Sequence, residues 1–128
     1  MKIQESAEDY LEAILVLSQQ KGVVHSIDVA RYLDFSKPSV SRAVKLLRED
    51  GELEVRSDSS LELTEKGREI AERVYERHRL LSNWLIAIGV DPKVAARDAC
   101  RMEHDISEET FSKLKSHIAE EHKDWAVQ

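Results

Sequence analysis

The strongest constraint on the fold is a change of hydrophobic period in the first half of the chain. Residues 26–50 carry two runs with apolar side chains at helical spacing, separated by the turn sequence DFSKPSV. Gly51 follows, and residues 52–64 read ELEVRSDSSLELT, in which leucine or valine alternates with polar residues on both sides of a turn. The sequence therefore predicts two helices joined by a tight turn and followed by a short β-hairpin.

Local signals give the elements around this segment. An apolar stripe predicts a first helix over residues 5–20, which Gly22 ends. Ser26 is the expected N-cap of the second helix. Ser36 is the expected N-cap of the third helix, with Pro38 in its first turn.

The second half of the chain is helical throughout. Thr64 is the expected cap of a long helix over about 65–88, and a further helix is predicted over about 92–104. The sequence SEET from Ser107 is a capping pattern, which opens a last helix over about 108–122. The order is three helices, a hairpin and three helices, so the expected fold class is mainly α.

Basic residues are concentrated on the predicted helix-turn-helix, although the whole chain has a formal net charge of −6. Between Arg31 and Arg48 there are five basic residues and one acidic residue. A helix pair followed by a hairpin is a winged helix-turn-helix, whose second helix enters the major groove of DNA. A solvated basic helix face is the alternative, but the hairpin at this place favours DNA binding.

The third helix and the turn of the hairpin supply the candidate DNA contacts. Small hydroxyls at a helix N-terminus can approach phosphates, and Arg42 can read a guanine edge with two hydrogen bonds. Lys37 and Lys45 are suited to neutralising phosphates, and Arg56 with Ser57 is expected at the wing tip. The complete predicted set is Ser36, Lys37, Pro38, Ser39, Ser41, Arg42, Lys45, Arg56 and Ser57.

Composition narrows the class of protein further. The chain has 128 residues and one cysteine, which excludes an internal disulfide. Its N-terminus is charged where a signal peptide needs an apolar run, and no segment reaches the roughly 18 apolar residues of a membrane span. We therefore expect a cytoplasmic protein without a membrane partner.

A second constellation lies in the sequence ACRMEH. Cys100, Glu103 and His104 share one helix face, because positions i, i+3 and i+4 stack on one side. A buried small thiol beside a surface Glu–His pair is the simpler interpretation. However, Asp9 with Glu12, and His78, also border apolar stripes of their own helices.

Burying these carboxyl, imidazole and thiol groups close together would cost free energy unless a cation bound them. Mixed carboxylate, imidazole and thiolate ligands fit Fe²⁺, Mn²⁺, Co²⁺, Ni²⁺ or Zn²⁺, and disfavour Ca²⁺ and Mg²⁺. The sequence therefore predicts a transition-metal site where the first helix, the long helix and the helix of Cys100 converge.

The motifs AEDYLEAI, SKPSVSRAVKLLREDG, LTEKG, RHRLL, IGVD and CRMEH occur in this order over nearly the whole chain. In this combination the chain resembles the diphtheria-toxin-repressor and manganese-transport-regulator family. The resemblance implies a metal-activated, homodimeric repressor that binds palindromic operator DNA, is not an enzyme and takes no small-molecule substrate. It implies a DNA-binding domain over 1–64 and a helical dimerisation and metal-binding domain over 65–128, without the SH3-like third domain of longer members.

The resemblance also implies the ligand set. Asp9 matches a ligand position held by aspartate in the manganese branch and methionine in the iron branch, and Glu12 matches a second manganese-branch ligand. Cys100 matches the cysteine ligand of the iron branch, where the manganese branch has a bridging glutamate. Glu103 and His104 match ligands of both branches. The full implied set is Asp9, Glu12, His78, Cys100, Glu103 and His104.

The chain is thus a hybrid, with a manganese-like first helix and an iron-like CRMEH. The iron branch's ancillary site needs a glutamate and a histidine where this chain has Ser82 and Ala96. One well-made site, with at most a weaker second, is expected. Fe²⁺ and Mn²⁺ are nearly equal candidates for the physiological metal, whereas Co²⁺, Ni²⁺ or Zn²⁺ can bind in vitro.

Three alternatives stay open at this point. The cluster could belong to a non-haem iron oxygenase or a metallohydrolase, although most of the chain serves DNA reading and packing. It could be structural in a winged-helix regulator that senses a small ligand or a partner. Cys100 could also act as a redox sensor, which is compatible with its role as a ligand.

Overall fold

The structure is a computed structural model that describes the backbone of residues 3–121 and the side chains of residues 7–121. Residue 122, the last of the predicted C-terminal helix, lies outside the described residues. The elements are α1 (Ile3–Lys21), β1 (Val24–His25), α2 (Ser26–Leu33), α3 (Lys37–Glu49), β2 (Leu53–Val55), β3 (Ser60–Leu63), α4 (Glu65–Ala87), α5 (Pro92–Asp105) and α6 (Glu108–Glu121). No helix within residues 3–121 is long and apolar enough to cross a lipid bilayer.

The chain forms two compact units, residues 1–73 and 74–128, and α4 runs through the boundary. The first unit contains α1, α2, α3 and an antiparallel sheet with the strand order β1-β3-β2. The second contains the later part of α4 together with α5 and α6. The predicted helix-turn-helix followed by a hairpin, and the mainly α fold class, are confirmed.

The core of the first unit is built from apolar residues of all its helices. α1 contacts α2, α3 and β3, so it lies at the centre of the packing of the first unit. Each fully buried leucine or valine contributes about 1.5–3 kcal/mol relative to an exposed one. The most buried large side chains of this core are those of Leu11, Ile14, Leu15, Val24, Val29, Val40, Leu47 and Leu53.

The start of α2 corrects the sequence prediction twice. The two-residue strand β1 pairs with β3, and no strand was predicted there. The N-cap is His25 rather than Ser26, and the Asp28 carboxylate accepts a hydrogen bond from the His25 backbone N–H at 2.8 Å. Lys21 Nζ also donates to Asp28 at 2.6 Å, and this hydrogen bond is the main cause that lowers the pKa of Asp28. The cap therefore stays ionised at neutral pH.

Thr64 caps α4 as predicted and joins it to the end of α3. Its Oγ1 accepts from the Gly67 N–H at 3.1 Å and donates to the Gly51 carbonyl at 2.7 Å. A Cβ at Gly67 would lie 2.0 Å from the carbonyl oxygen of Glu52. Glycine is therefore required here, because the first turn of α4 lies directly on the backbone that follows α3.

The second unit has its own hydrophobic core. Leu80 of α4 packs with Phe111 and Ile118 of α6, and Trp84, Ile106 and Leu114 cover this cluster. At the end of α4, Ile86 and Ile88 are 40% and 60% exposed. Both side chains therefore lie at the surface rather than in the core of the second unit.

Candidate metal centre and nucleic-acid interface

The N-terminus of α3 is organised by serine side chains. Ser36 is the N-cap, and its Oγ accepts a hydrogen bond from the Ser39 backbone N–H at 3.3 Å. The two hydroxyls are hydrogen-bonded to each other at 2.8 Å, and Arg42 Nη2 donates to Ser39 Oγ at 3.4 Å. These contacts orient the first turn of α3, whose N–H groups and dipole favour an anion such as a DNA phosphate.

The predicted DNA contacts on α3 lie on its outer side. The helix buries Val40 and Leu47. Its predicted polar contacts are exposed, apart from the half-buried Ser39; the exposed ones are Ser36, Lys37, Ser41, Arg42 and Lys45. Asp34 ends α2 in the left-handed conformation with φ 57°, which makes the tight turn into α3. The structure therefore brings this part of the predicted set together on one solvent-facing surface.

The wing carries less net positive charge than Arg56 alone predicts. Arg56 and Ser57 are exposed at its turn, as predicted, but the Arg56 guanidinium forms a close ion pair with Glu62 of β3. The Asp58 carboxylate accepts hydrogen bonds from the Ser60 hydroxyl and N–H at 2.6 and 3.0 Å, and these bonds lower the pKa of Asp58. Because the carboxylates of Glu62 and Asp58 accompany Arg56 on the wing, α3 is the main basic surface of the first unit.

The helix α5 brings three predicted metal ligands together in the second unit. Cys100, Glu103 and His104 each offer a ligand atom, and these atoms lie within 4.8 Å of one another. The Glu103 side chain is fully buried, the His104 side chain is 3% exposed, and Cys100 is half-buried. The predicted trio is therefore largely screened from water by the fold.

A fourth predicted ligand, His78, reaches the same carboxylate from α4. His78 Nδ1 lies 3.0 Å from Glu103 Oε2, and His104 Nε2 lies 3.5 Å from Glu103 Oε1. Each oxygen of a fully buried carboxylate thus faces an imidazole. Buried charge of this kind needs a positive partner, which is either a protonated imidazole or a cation.

The remaining predicted ligands, Asp9 and Glu12, lie on α1 in the first unit. They are one helical turn apart, and both are half-buried. Ser82, on α4, is half-buried, and Ala96, on α5, is exposed. Neither offers a carboxylate or an imidazole for an ancillary site.

The donor set of the second unit fits a divalent transition metal. Imidazole suits iron and zinc, a carboxylate suits manganese, and a thiolate selects softer metals. The ligand atoms of α5 are close enough to share one ion, which would offset the cost of burying Glu103. The chemistry of these residues is therefore compatible with the metal centre that the sequence predicts.

Comparison with known proteins identifies both units. Residues 2–61 match the family described as "Iron dependent repressor, N-terminal DNA binding domain". Residues 64–124 match "Iron dependent repressor, metal binding and dimerisation domain". Together the two matches cover nearly the whole chain.

Relatives agree with this assignment. The transcriptional regulator MntR of Escherichia coli is 36% identical over 111 residues, which are 87% of this chain and 72% of that protein. The iron-dependent repressor IdeR of Mycobacterium tuberculosis is 38% identical over 111 residues, 86% of this chain and 48% of IdeR. The chain thus spans about half the length of IdeR.

A solved structure agrees as well. The structure of the manganese regulator SloR has a TM-score of 0.79 and 26% identity, and covers 88% of this chain and 53% of the SloR chain. These proteins are regulators and repressors, so the comparisons do not support the enzyme alternative. The chain belongs to the iron-dependent repressor family, the diphtheria-toxin-repressor and manganese-transport-regulator family of metal-dependent DNA-binding regulators.

Proposed function

We propose that this protein is a transcriptional repressor of metal-homeostasis genes, with Fe²⁺ or Mn²⁺ as its co-repressor. The observation that carries the proposal is the buried Glu103 carboxylate, which lies between His78 and His104 in a unit that matches a metal-binding domain. A carboxylate so placed is unfavourable alone and favourable beside a cation.

We propose that Cys100, Glu103 and His104 form the centre of the metal site and that His78 contributes an imidazole. Asp9 and Glu12 complete the ligand set from α1, as the family resemblance implies. Oxygen and nitrogen ligands suit Mn²⁺, whereas the thiolate favours Fe²⁺ or a softer metal. Support for a single main site comes from Ser82 and Ala96, which replace two ligands of the iron branch's ancillary site.

We propose that a homodimer binds a palindromic operator, with α3 of each protomer in the major groove. Arg42 reads a base edge, while Lys37, Lys45 and the serine N-terminus contact phosphates. The wing residues Arg56 and Ser57 make a weaker backbone contact, since Glu62 already pairs with Arg56. We propose that the two protomers associate through apolar residues of the second unit that include the exposed Ile88.

The proposed mechanism is thermodynamic coupling between metal binding and operator binding. Glu103 and Cys100 would hold a divalent cation, which would supply positive charge at the buried carboxylate and keep the thiol as a thiolate. Asp9 and Glu12 belong to the DNA-binding unit, so ligands shared with Glu103 restrict the orientations that this unit adopts. The two recognition helices then match half-sites about one helical turn apart.

We further propose that the protein acts in the cytoplasm, where its operator lies. We also propose that the boundary between the DNA-binding domain and the metal-binding domain lies between residues 64 and 65. A boundary at this place agrees with the Thr64 cap, which ends the wing and begins α4. Oxidation of Cys100 would remove a ligand, so redox state and metal supply act on the same site.

An anaerobic titration tests this function. Metal-free protein is mixed with a fluorescent palindromic operator selected from random DNA, and Mn²⁺ or Fe²⁺ is added while anisotropy is recorded. We expect one of the metals to raise operator affinity at least about 10-fold, within the usual range of allosteric coupling. Tight binding that is indifferent to both metals would favour the alternative regulator with a structural polar cluster.

A further inference from the structure

Arg77 is a buried arginine that joins three helices of the second unit. It lies on α4 one residue before His78 and is 7% exposed. Its Nη1 donates to the backbone carbonyls of Glu103 and Ile106, both at 3.0 Å, and its Nη2 donates to Glu108 Oε1 at 2.7 Å. One guanidinium therefore links α4 to the end of α5 and the start of α6.

The two carbonyls are acceptors that α5 itself cannot satisfy. The last four carbonyl groups of a helix have no partner within it, and Glu103 is among them because α5 ends at Asp105, whereas Ile106 is the C-cap residue that follows. Arg77 takes the place of a C-terminal cap, contributed by a neighbouring helix. Because a guanidinium is planar and presents its donors in a fixed fork, it sets a defined distance between α4 and the backbone of Glu103.

An aromatic ring and a carboxylate of α6 also contact the Arg77 guanidinium. Its Cζ lies 5.0 Å from the centre of the Phe111 ring on α6, a cation–π contact, and the Glu108 carboxylate balances its charge. Arg77 is thus fixed by a ring face, a carboxylate and two carbonyls. A side chain held in this way has little freedom to move when the neighbouring ligands bind an ion.

We propose that Arg77 is a positioning residue of the metal centre, a role that rests on the proposed function. Arg77 is next to His78 in the chain and is bonded to the backbone of Glu103. This one connection sets the spacing between His78 Nδ1 and Glu103 Oε2, which is 3.0 Å. Metal–ligand distances tolerate only about ±0.2 Å, so a small displacement of α5 from α4 weakens binding.

The test compares Arg77→Gln and Arg77→Lys with the wild-type chain. Mn²⁺ affinity is measured anaerobically by competition with a chelating fluorophore, and the ligand field is read from the absorption spectrum of the Co²⁺ complex. We expect Arg77→Gln to bind Mn²⁺ about 10- to 100-fold more weakly, as for other residues that orient metal ligands. We also expect a shifted Co²⁺ spectrum, since Glu103 and His104 then sample several positions.

Two controls separate positioning from general stability. Lys115→Gln removes another polar link between α4 and α6, the 2.9 Å bond from Lys115 Nζ to Glu76, but does not touch α5. Ile118→Val removes a buried methylene from the core cluster of the second unit, and Arg77 is not part of that cluster. Both are expected to keep the wild-type Co²⁺ spectrum, although Ile118→Val lowers the melting temperature.

Each outcome decides the inference. If Arg77→Gln lowers the melting temperature but keeps wild-type Mn²⁺ affinity and Co²⁺ spectrum, Arg77 is only structural and the inference is wrong. If Arg77→Gln does not fold, Arg77→Lys decides, because it keeps the charge and loses the fork; wild-type Mn²⁺ affinity in this variant overturns the inference. A wild-type chain that binds neither metal overturns the proposed function, and this inference with it.

Discussion

Replacing Glu103 with glutamine is expected to abolish metal-activated operator binding and leave the protein folded. Glutamine has nearly the same shape, so the buried site keeps its packing, and its amide can still meet His78 Nδ1, 3.0 Å from the present carboxylate. The negative charge that holds the cation is lost. We expect the affinity for Mn²⁺ or Fe²⁺ to fall at least about 100-fold, because removal of a direct ligand costs more than removal of a residue that orients one.

The matched control is Glu76→Gln, which removes an exposed carboxylate from the same unit. Glu76 pairs with Lys115 at the surface, and such pairs contribute about 0–1 kcal/mol. Metal affinity is measured by chelator competition, operator affinity by anisotropy, and folding by the thermal transition. A Glu103→Gln protein that binds metal as tightly as Glu76→Gln would remove Glu103 from the ligand set and favour a structural role for the cluster.

Substitution of Arg42 is expected to reduce sequence specificity more than it reduces DNA binding as such. The Arg42 side chain is exposed on α3 beside the hydroxyl of Ser39. Arginine that hydrogen-bonds a guanine with two donors discriminates against other bases by about 1–3 kcal/mol. Arg42→Ala should therefore weaken binding to the selected operator about 10- to 100-fold and make one base position of each half-site indifferent.

Lys45→Gln is the comparison variant for this prediction. It removes a cation from the same exposed face, so it should weaken binding to all sequences alike and lower the salt dependence by about one phosphate contact per protomer. Affinities for the operator and its single-base variants are measured at several salt concentrations in the presence of metal. Equal losses on every sequence for Arg42→Ala would show that Arg42 contacts phosphate rather than a base.

The helices were predictable because their signals are local. Capping serines and threonines, terminal glycines and the apolar spacing each act within one or two turns, and α3, α4 and α5 begin and end within two residues of the predicted positions. Strand β1 was missed because two residues are too few to show an alternating period. The cap of α2 was misassigned because the capping group is Asp28, which reaches back to the His25 backbone from inside the helix.

The candidate site was predictable in part. The closeness of Cys100, Glu103 and His104 follows from helical spacing, which the sequence displays directly. The contact between His78 and Glu103 depends on how α4 packs against α5, and no local pattern specifies that packing. The role of Arg77 could not be predicted from the sequence, because two of its acceptors are backbone carbonyls at the end of α5, which have no sequence signature. The ion pair of Arg56 with Glu62 depends likewise on the conformation of the wing turn.

The most direct test of the linkage mechanism is the affinity of the protein for its metal, measured with and without saturating operator DNA. If metal and DNA binding are coupled through the site around Glu103, the operator must raise metal affinity by the same factor by which metal raises operator affinity. We expect that shared factor to lie between about 5 and 150, the usual range of such coupling. A metal affinity that is the same with and without operator would contradict the mechanism, even if the chain binds both.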